Sequence, residues 1–385
     1  MERMIVHINI TNFMAAVESS KDPSLRRWPF IIAPEKQARA VVLGVSDLAF
    51  HEGLQAGMPL NIALKRLPGC RVLVPSTELY ETAQRSIYNL AARFSPTVEM
   101  RSNGHLFIDL TGTTRIFGHS IDAAATIKQE FQNTLGLDPT TALAVNKVVS
   151  KVASRVVRPH GFASVPPGDE GGFMTPQSVT LLPGIGPRLE SRMGALGILF
   201  MGELGSLTDS QTVVAFGAQG TTLKRHAMGI DTDPVLQNPL LCNRITHGRI
   251  LETDSNDPQM LRAHLALLCE HAGFTLRSRN RSTTQIHLEF QYSDMKLSGR
   301  QATLNSPVHL DRDIYRIASG LMEHLLARRV RVRKLTLSLG RLHRESHQLD
   351  LFEPPSSHVL QQALDHLRSR YGQITVQRAS SLGLP

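Results

Sequence analysis

Apolar residues near the N-terminus come in short alternating runs. Val6, Ile8 and Ile10 alternate with His7, Asn9 and Thr11, which predicts a strand over Met4–Thr11, followed by a short helix over Asn12–Ser20. Residues 95–110 read SPTVEMRSNGHLFIDL. Asn103-Gly104 between two apolar runs predicts a tight hairpin, because both residues tolerate positive φ. On its second strand His105, Phe107 and Asp109 share one face and Leu106, Ile108 and Leu110 the other. Further strand patterns cover Phe30–Ala33, Ala40–Val45 and Thr141–Val145. Helical spacing marks Asp47–Glu52, Leu60–Arg66, Thr77–Phe94, Ser120–Leu135 and Asn146–Val157. This alternation predicts an α+β or α/β first domain.

Residues 161–176 are rich in Pro and Gly and read as a linker. Leu182 to Pro187 then opens a helix over Arg188–Leu196, the pattern of a helix–hairpin–helix module. In such a turn Gly184, Ile185 and Gly186 point backbone N–H groups outward, a phosphate site without base readout. Asp231–Asn243 reads as a second linker. Beyond it lie a strand over Arg249–Thr253, a helix over Asp257–Phe274, and alternating strands over Gln285–Tyr292 and Lys296–Leu304. A helix over Asp311–Arg328 and a last strand over Leu335–Leu339 complete a four-stranded sheet on two helices.

Composition narrows the partner. The chain has 385 residues, 41% hydrophobic and 19% charged, which is globular rather than disordered. Its net charge of +9 favours a polyanion, most often nucleic acid. Between Asn243 and Glu345, 17 Lys plus Arg stand against 10 Asp plus Glu, so most of the excess lies there. Arg277, Arg279 and Arg281 cluster before one strand, and Arg328, Arg329, Arg331, Arg333 and Lys334 before another. Such edges suit a phosphate backbone and predict binding that weakens steeply with salt. Few aromatics accompany them, so base stacking is not indicated. Cys70, Cys242 and Cys269 are odd in number and far apart, so a disulfide framework is not expected and a reducing cytosol is. No apolar run is long enough for a membrane span. Near the end, Gln348-Leu349-Asp350-Leu351-Phe352 is the kind of short apolar peptide that docks in a partner's groove. An amphipathic helix over Ser357–Arg370 follows, with Val359, Leu360, Ala363, Leu364 and Leu367 as its apolar set.

The order of these pieces resembles a Y-family translesion DNA polymerase of the UmuC/DinB type. Residues His7 to Glu18 are similar to that family's opening motif, keeping Phe13, Ala15, Ala16, Val17 and Glu18. Val98-Glu99 and Ser102 to Asp109 resemble its second motif, and Asn146-Lys147 with Lys151 and Ala153 its Asn-Lys-x-x-Ala-Lys helix. The resemblance implies an α+β right hand: palm over 1–24 and 76–165, fingers over 25–75 and thumb over 166–233. It further implies a linker over 234–243, a little finger over 244–345, and a clamp-binding motif and tail over 346–385. It implies primer–template DNA, held independently of sequence, as partner. It also implies a sliding clamp, reached through Gln348, Leu349, Leu351 and Phe352, and a bacterial, nucleoid-associated place in the cytoplasm.

The departures fall on the chemistry. The family's first metal-binding Asp corresponds to Asn9, and its Asp-Glu pair to Gly104-His105. Those carboxylates hold the two Mg²⁺ ions that align the primer hydroxyl and stabilise the leaving pyrophosphate. On the nucleotide side the Tyr-x-x-Arg positions fall on Asp47 and Phe50, the aromatic gate against ribonucleotides on Met14, and only Lys151 matches. These losses predict a catalytically silent member, similar to the ImuB type. It would take no cofactor and serve as an adaptor for an error-prone polymerase in SOS-type damage tolerance. The alternative is an active polymerase with a displaced or Mn²⁺-dependent metal site, built on Asp109 or Glu99.

Overall fold

The alternation around Val6 resolves into β1 (Ile5–Asn9), the middle strand of a five-stranded sheet. In this computed structural model, residues 2–34, 39–237, 244–344, 356–372 and 375–376 are described. The chain divides into two units, Met1–Leu240 and Leu241–Pro385.

The first unit goes on through β2 (Phe30–Ile32), β3 (Gly44–Val45), β4 (Arg71–Leu73), β5 (Val98–Ser102), β6 (His105–Asp109), β7 (Thr140–Ala144) and β8 (Phe162–Ser164). The main sheet runs β5-β6-β1-β7-β8, with β1 antiparallel to both β6 and β7. Val6, Ile8 and Ile10 point to one face, where the helices Thr77–Ala92 and Ser120–Leu135 bury them with Leu106, Ile108, Ile127 and Phe131. The other face carries the helix Lys147–Val156, packed on β1 and β7. The polar residues of β1 are therefore covered too: His7 is fully buried and Asn9 nearly so. Strands buried on both faces lose the solvent that an alternating pattern suggests.

A smaller sheet, β3-β2-β4, forms the region expected for the fingers. Of the strand expected over Ala40–Val45 only Gly44–Val45 forms, with a single bridge from Val41 to Pro59. The expected linker over 161–176 is instead structured. It adds β8 to the sheet edge and contains the helix Glu170–Met174, whose Met174 is buried with Leu182, Met193, Leu204, Phe216 and Leu223 in a helical core. Residues 234–237 are likewise pinned down. Val235 packs on Ile5 and Phe107, Pro234 O accepts from Lys147 Nζ at 2.8 Å, and Leu236 N donates to Glu99 at 2.7 Å. An apolar patch on the sheet needed a cover, and Val235 provides it.

The second unit is the expected four-stranded sheet on two helices, with longer strands. β9 (Arg244–Ser255), β10 (Arg281–Tyr292), β11 (Leu297–Val308) and β12 (Val332–Arg344) pair antiparallel in the order β11-β10-β12-β9. The helix Pro258–Ser278 starts with the Asp257 carboxylate accepting from Gln259 N at 2.9 Å and with Pro258 at its first position. With the helix Asp311–Leu326 it covers Ile286, Leu288, Phe290, Leu335, Leu337 and Leu339. The C-terminal helix Ser356–Tyr371 reverses the expected polarity: Val359, Leu360 and Leu367 are exposed, while Gln361 and Arg368 are buried. Arg368 reaches Glu270 at 2.9 Å and Asp311 at 3.0 Å, so buried acids rather than apolar contacts seat this helix.

Candidate functional site

The fold brings together the three positions where sequence reasoning finds carboxylates missing. Asn9 ends β1 and pairs directly with His105, which opens β6. Gly104 forms the turn before it with φ of 75°, and its carbonyl accepts from Ile10 N at 2.8 Å. A Cβ at Gly104 would lie 3.0 Å from both the Ile10 carbonyl oxygen and the Phe13 ring. The turn therefore demands glycine twice over, by backbone angle and by space.

What faces these positions is basic. The Lys147–Val156 helix is capped by Asn146, whose side chain accepts from Val149 N at 2.9 Å and donates to Gly229 O at 2.8 Å. It carries Lys151, Ser154 and Arg155, and Arg158 follows its end. Ser154 Oγ donates to the Lys151 carbonyl at 2.8 Å, so His7 Nδ1, 2.7 Å away, is the donor to that hydroxyl. His7 is thus a neutral ring with Nε2 unpartnered. Burial, with His105 and the nearby cations behind it, pushes its pKa well below the usual histidine value. The Asn9 amide sits between Arg158 and the His105 ring; assigned so that both neighbours are satisfied, its oxygen accepts from Arg158 at 2.6 Å (Nε) and 2.9 Å (Nη2) and its nitrogen donates to a His105 ring nitrogen at 3.1 Å. Burial, then Arg158, Lys151 and Arg155, lower the His105 pKa to about 4, so it too is neutral at pH 7. Lys151 is itself lowered, by burial first and then by Arg155, Arg101 and Arg158. Arg155 and Arg158 are not among the residues the sequence singles out; the spacing of Arg155 four residues after Lys151 on one helix was the available signal.

Neither carboxylate proposed for a displaced metal site is free to serve. Glu99 is buried and ion-paired to Lys147 at 3.2 Å and to Arg101. Asp109 lies at the far end of β6, opposite Ile5, and accepts from Thr111 N at 2.9 Å. Among the described residues no group of three His, Cys, Asp or Glu is placed to hold a metal ion.

On the expected nucleotide side, Asp47 accepts from Asn12 Nδ2 at 3.0 Å and lines a cleft of about 570 Å³ with Thr11, Ser46 and His160. Phe50 is exposed, and Met14 packs under Gly44 and against the strand Phe30–Ile32. Asn9, His105 and Lys151 do not line that cleft.

The expected DNA contacts divide. Gly184 (φ 94°) and Gly186 are exposed with open space around them, and Gly186 caps the helix Pro187–Ala195. Ile185 is half-buried against the helical core, an anchor for the turn rather than a contact. Arg277 is placed otherwise than its sequence position suggests. Its guanidinium binds Asp365 at 2.6 Å and Asp311 at 2.8 Å, so it holds the unit together. Arg281 opens β10 opposite Arg344, whereas Arg331 is exposed beside the other end of that strand, with Arg333 following. With about 3.3 Å per residue, the ends of this strand are roughly 35 Å apart, so the arginines form two patches rather than one. Arg279 is half-buried at the C-terminal cap of the helix Pro258–Ser278. Gln348, Leu349, Leu351 and Phe352, expected to bind a clamp, lie outside the described residues.

A five-stranded sheet with helices on both faces, a small second sheet, a helical segment and a separate four-stranded unit define a right-hand polymerase fold with a little finger. The chain belongs to the impB/mucB/samB family, the Y-family DNA polymerases. The family matches residues 8–155, and its C-terminal domain matches residues 243–351, together more than half of the chain. It is 29% identical to DNA polymerase IV of Dehalococcoides mccartyi (strain CBDB1) over 97% of this chain and 96% of that protein. It is equally identical to DNA polymerase IV of Desulfatibacillum aliphaticivorans, over 98% and 97%. Among solved structures, a Y-family DNA polymerase chimera, Dbh-Dpo4(243-245)-Dbh, superposes with a TM-score of 0.80 at 21% identity, covering 88% of this chain and 99% of that one. DinB from Sulfolobus solfataricus superposes at 0.62 with 22% identity, covering 89% and 100%.

These relatives correct the expectation that no cofactor attaches to the chain: the family's reaction needs a divalent metal. The donors at the three palm positions do not fit that ion. Mg²⁺ takes carboxylate and water oxygens. Here Gly104 offers no side chain, His105 is an imidazole, and the one amide oxygen is already held by a guanidinium.

Proposed function

We propose that this chain is a DNA-damage-tolerance protein that holds primer–template DNA, and that Asn9, Gly104 and His105 do not carry nucleotidyl transfer. One observation carries the second part: Arg158 is bound to Asn9 at the place where the family's first metal-binding carboxylate would stand. The DNA-holding part is supported by the open Gly184–Gly186 turn and by the exposed arginines of the second unit. Relatives named DNA polymerase IV and solved DNA complexes of Dbh DNA polymerase support it too. The tail peptide Gln348–Phe352 is our candidate for sliding-clamp contact, and an error-prone polymerase would then supply the synthesis.

A second reading, DNA synthesis by the chain itself, has one specific support, and the comparisons favour it over silence. Similarity to enzymes named DNA polymerase IV extends over nearly the whole chain. It requires acids other than Glu99 and Asp109. Primer extension with Mg²⁺ and separately with Mn²⁺, beside a binding assay on the same DNA, separates the two. Binding without extension supports the first. Extension that persists in a preparation free of contaminating polymerase establishes the second.

A further inference from the structure

Two histidines meet where the tail helix lies on the second unit. His309 stands between β11 and the helix Asp311–Leu326, and His358 in the first turn of the helix Ser356–Tyr371. Both are half-buried. His309 Nε2 lies 3.4 Å from His358 Nδ1, and the ring centres are 5.2 Å apart with 36° between the planes. A polar clasp holds their backbones. Arg277 donates to the His309 carbonyl at 2.6 Å and to Asp365, two turns beyond His358, at 2.6 Å. Gln361 donates to Asp311 at 3.1 Å and to Asp365 at 3.2 Å, and Arg368 reaches Glu270 and Asp311. His358, Gln361, Asp365 and Arg368 share the inward face of the helix. Among these charged groups three carboxylates stand against two guanidinium groups, so the clasp suits a cation beside it.

The spacing of the rings is that of two ligands on one tetrahedral ion. Two metal–nitrogen bonds of about 2.0–2.1 Å at the tetrahedral angle place their nitrogens about 3.4 Å apart and their ring centres about 5.2 Å apart. A straight N–H···N bond of the same length would hold the ring centres about 5.7 Å apart, and it would be long for a hydrogen bond. Ligands at a right angle, as on square-planar Cu²⁺, would bring the nitrogens to about 2.8 Å. We propose that His309 Nε2 and His358 Nδ1 form a two-nitrogen site for Zn²⁺ that ties the tail helix to the second unit. Imidazole suits Zn²⁺, whereas Mg²⁺ takes oxygen ligands. Each ring binds in its neutral form, with its proton on the nitrogen turned away, Nδ1 of His309 and Nε2 of His358. Two protein ligands leave two positions of the tetrahedron for water. The site belongs to the second unit and is independent of whether the chain extends primers.

The test uses the full chain, with Zn²⁺ titrated in excess Mg²⁺ to occupy carboxylate sites and with Co²⁺ as a spectroscopic probe. Zn²⁺ is expected to bind at a site that His309→Gln and His358→Gln each weaken at least tenfold. His366→Gln, on the exposed side of the same helix, should leave the affinity within twofold. The two substitutions lie on different elements, so either serves if the other fails to fold. Co²⁺ should show the strong visible bands of a tetrahedral ion in the parent chain and lose them in both variants. Amide hydrogen exchange in the tail helix should slow at least threefold with Zn²⁺ in the parent chain and stay unchanged in the variants. Zn²⁺ affinity indifferent to both substitutions, an equal loss with His366→Gln, a weak octahedral Co²⁺ spectrum, or tail-helix exchange indifferent to Zn²⁺ in the parent chain overturns the proposal.

Discussion

Arg158 faces Asn9 at the end of β1: with the asparagine's amide assigned by its hydrogen-bond partners, the arginine's Nε lies 2.6 Å from the amide oxygen. A carboxylate placed there would meet a guanidinium before it met a metal. Asn9→Asp is therefore expected to form an ion pair with Arg158 and to leave primer extension no higher than in the parent chain. A charge-assisted bond in place of a neutral one adds about 1 kcal/mol to stability. Thermal melting and primer extension on the same sample check both halves.

Buried neutral histidines make the fold acid-sensitive. His105 and His264 have folded pKa values of about 4, each lowered mainly by burial, against an ordinary value of 6.5. Between those values the unfolded chain binds protons that the folded chain refuses, so stability rises with pH through this window and is lost as pH falls from about 6.5 towards 4. The loss is on the order of 2–3 kcal/mol per histidine. Denaturant melts of the second unit's core probe across pH 4–7 should show it. His264→Leu should flatten that unit's share, and because both its ring nitrogens lack partners, should raise stability at neutral pH by about 1–2 kcal/mol.

Arg277 and Arg331 should separate under mutation. Arg277→Ala leaves Asp365 without its arginine and Asp311 with Arg368 alone and should cost about 3 kcal/mol of second-unit stability. Arg331→Ala with Arg333→Ala should leave melting unchanged, weaken DNA binding alike at every sequence, and reduce the salt slope by about 2. Melting curves and binding isotherms at several salt concentrations distinguish the two patterns.

Gly104→Asp should not behave as a repair. A side chain at φ 75° with a backbone oxygen 3.0 Å from its Cβ costs roughly 1–3 kcal/mol. Stability should fall by that amount, with primer extension no higher than in the parent chain, in the single variant and in the pair with Asn9→Asp.

Much of this layout is legible in the chain because its signals are local. The hairpin around Gly104, the Ser120–Leu135 helix and the two helices of the second unit follow from turn chemistry and period alone. What was illegible depends on partners distant in sequence. The tail helix shows an apolar stripe, yet Arg368 turns it inward-polar because Glu270 and Asp311 wait beneath. Arg277 looks like a phosphate contact until Asp365 arrives from the tail helix. Residues 234–237 look like linker until Ile5 and Phe107 expose a patch that Val235 covers. At the site, the missing carboxylates could be read from single positions. Their replacement by Arg158 could not, since it needs the helix laid across β1.

The hairpin turn carries one last consequence. A glycine at a left-handed position, pressed against the Ile10 carbonyl and the Phe13 ring, is easy to arrive at and hard to leave. A single base change can turn a glycine codon into an aspartate codon, yet the side chain it supplies would meet the Ile10 carbonyl and the Phe13 ring. Seating a larger residue there requires the turn and Phe13 to move together. What can stand at this position is thus set by the shape of the backbone around it and not by the choice of one side chain alone.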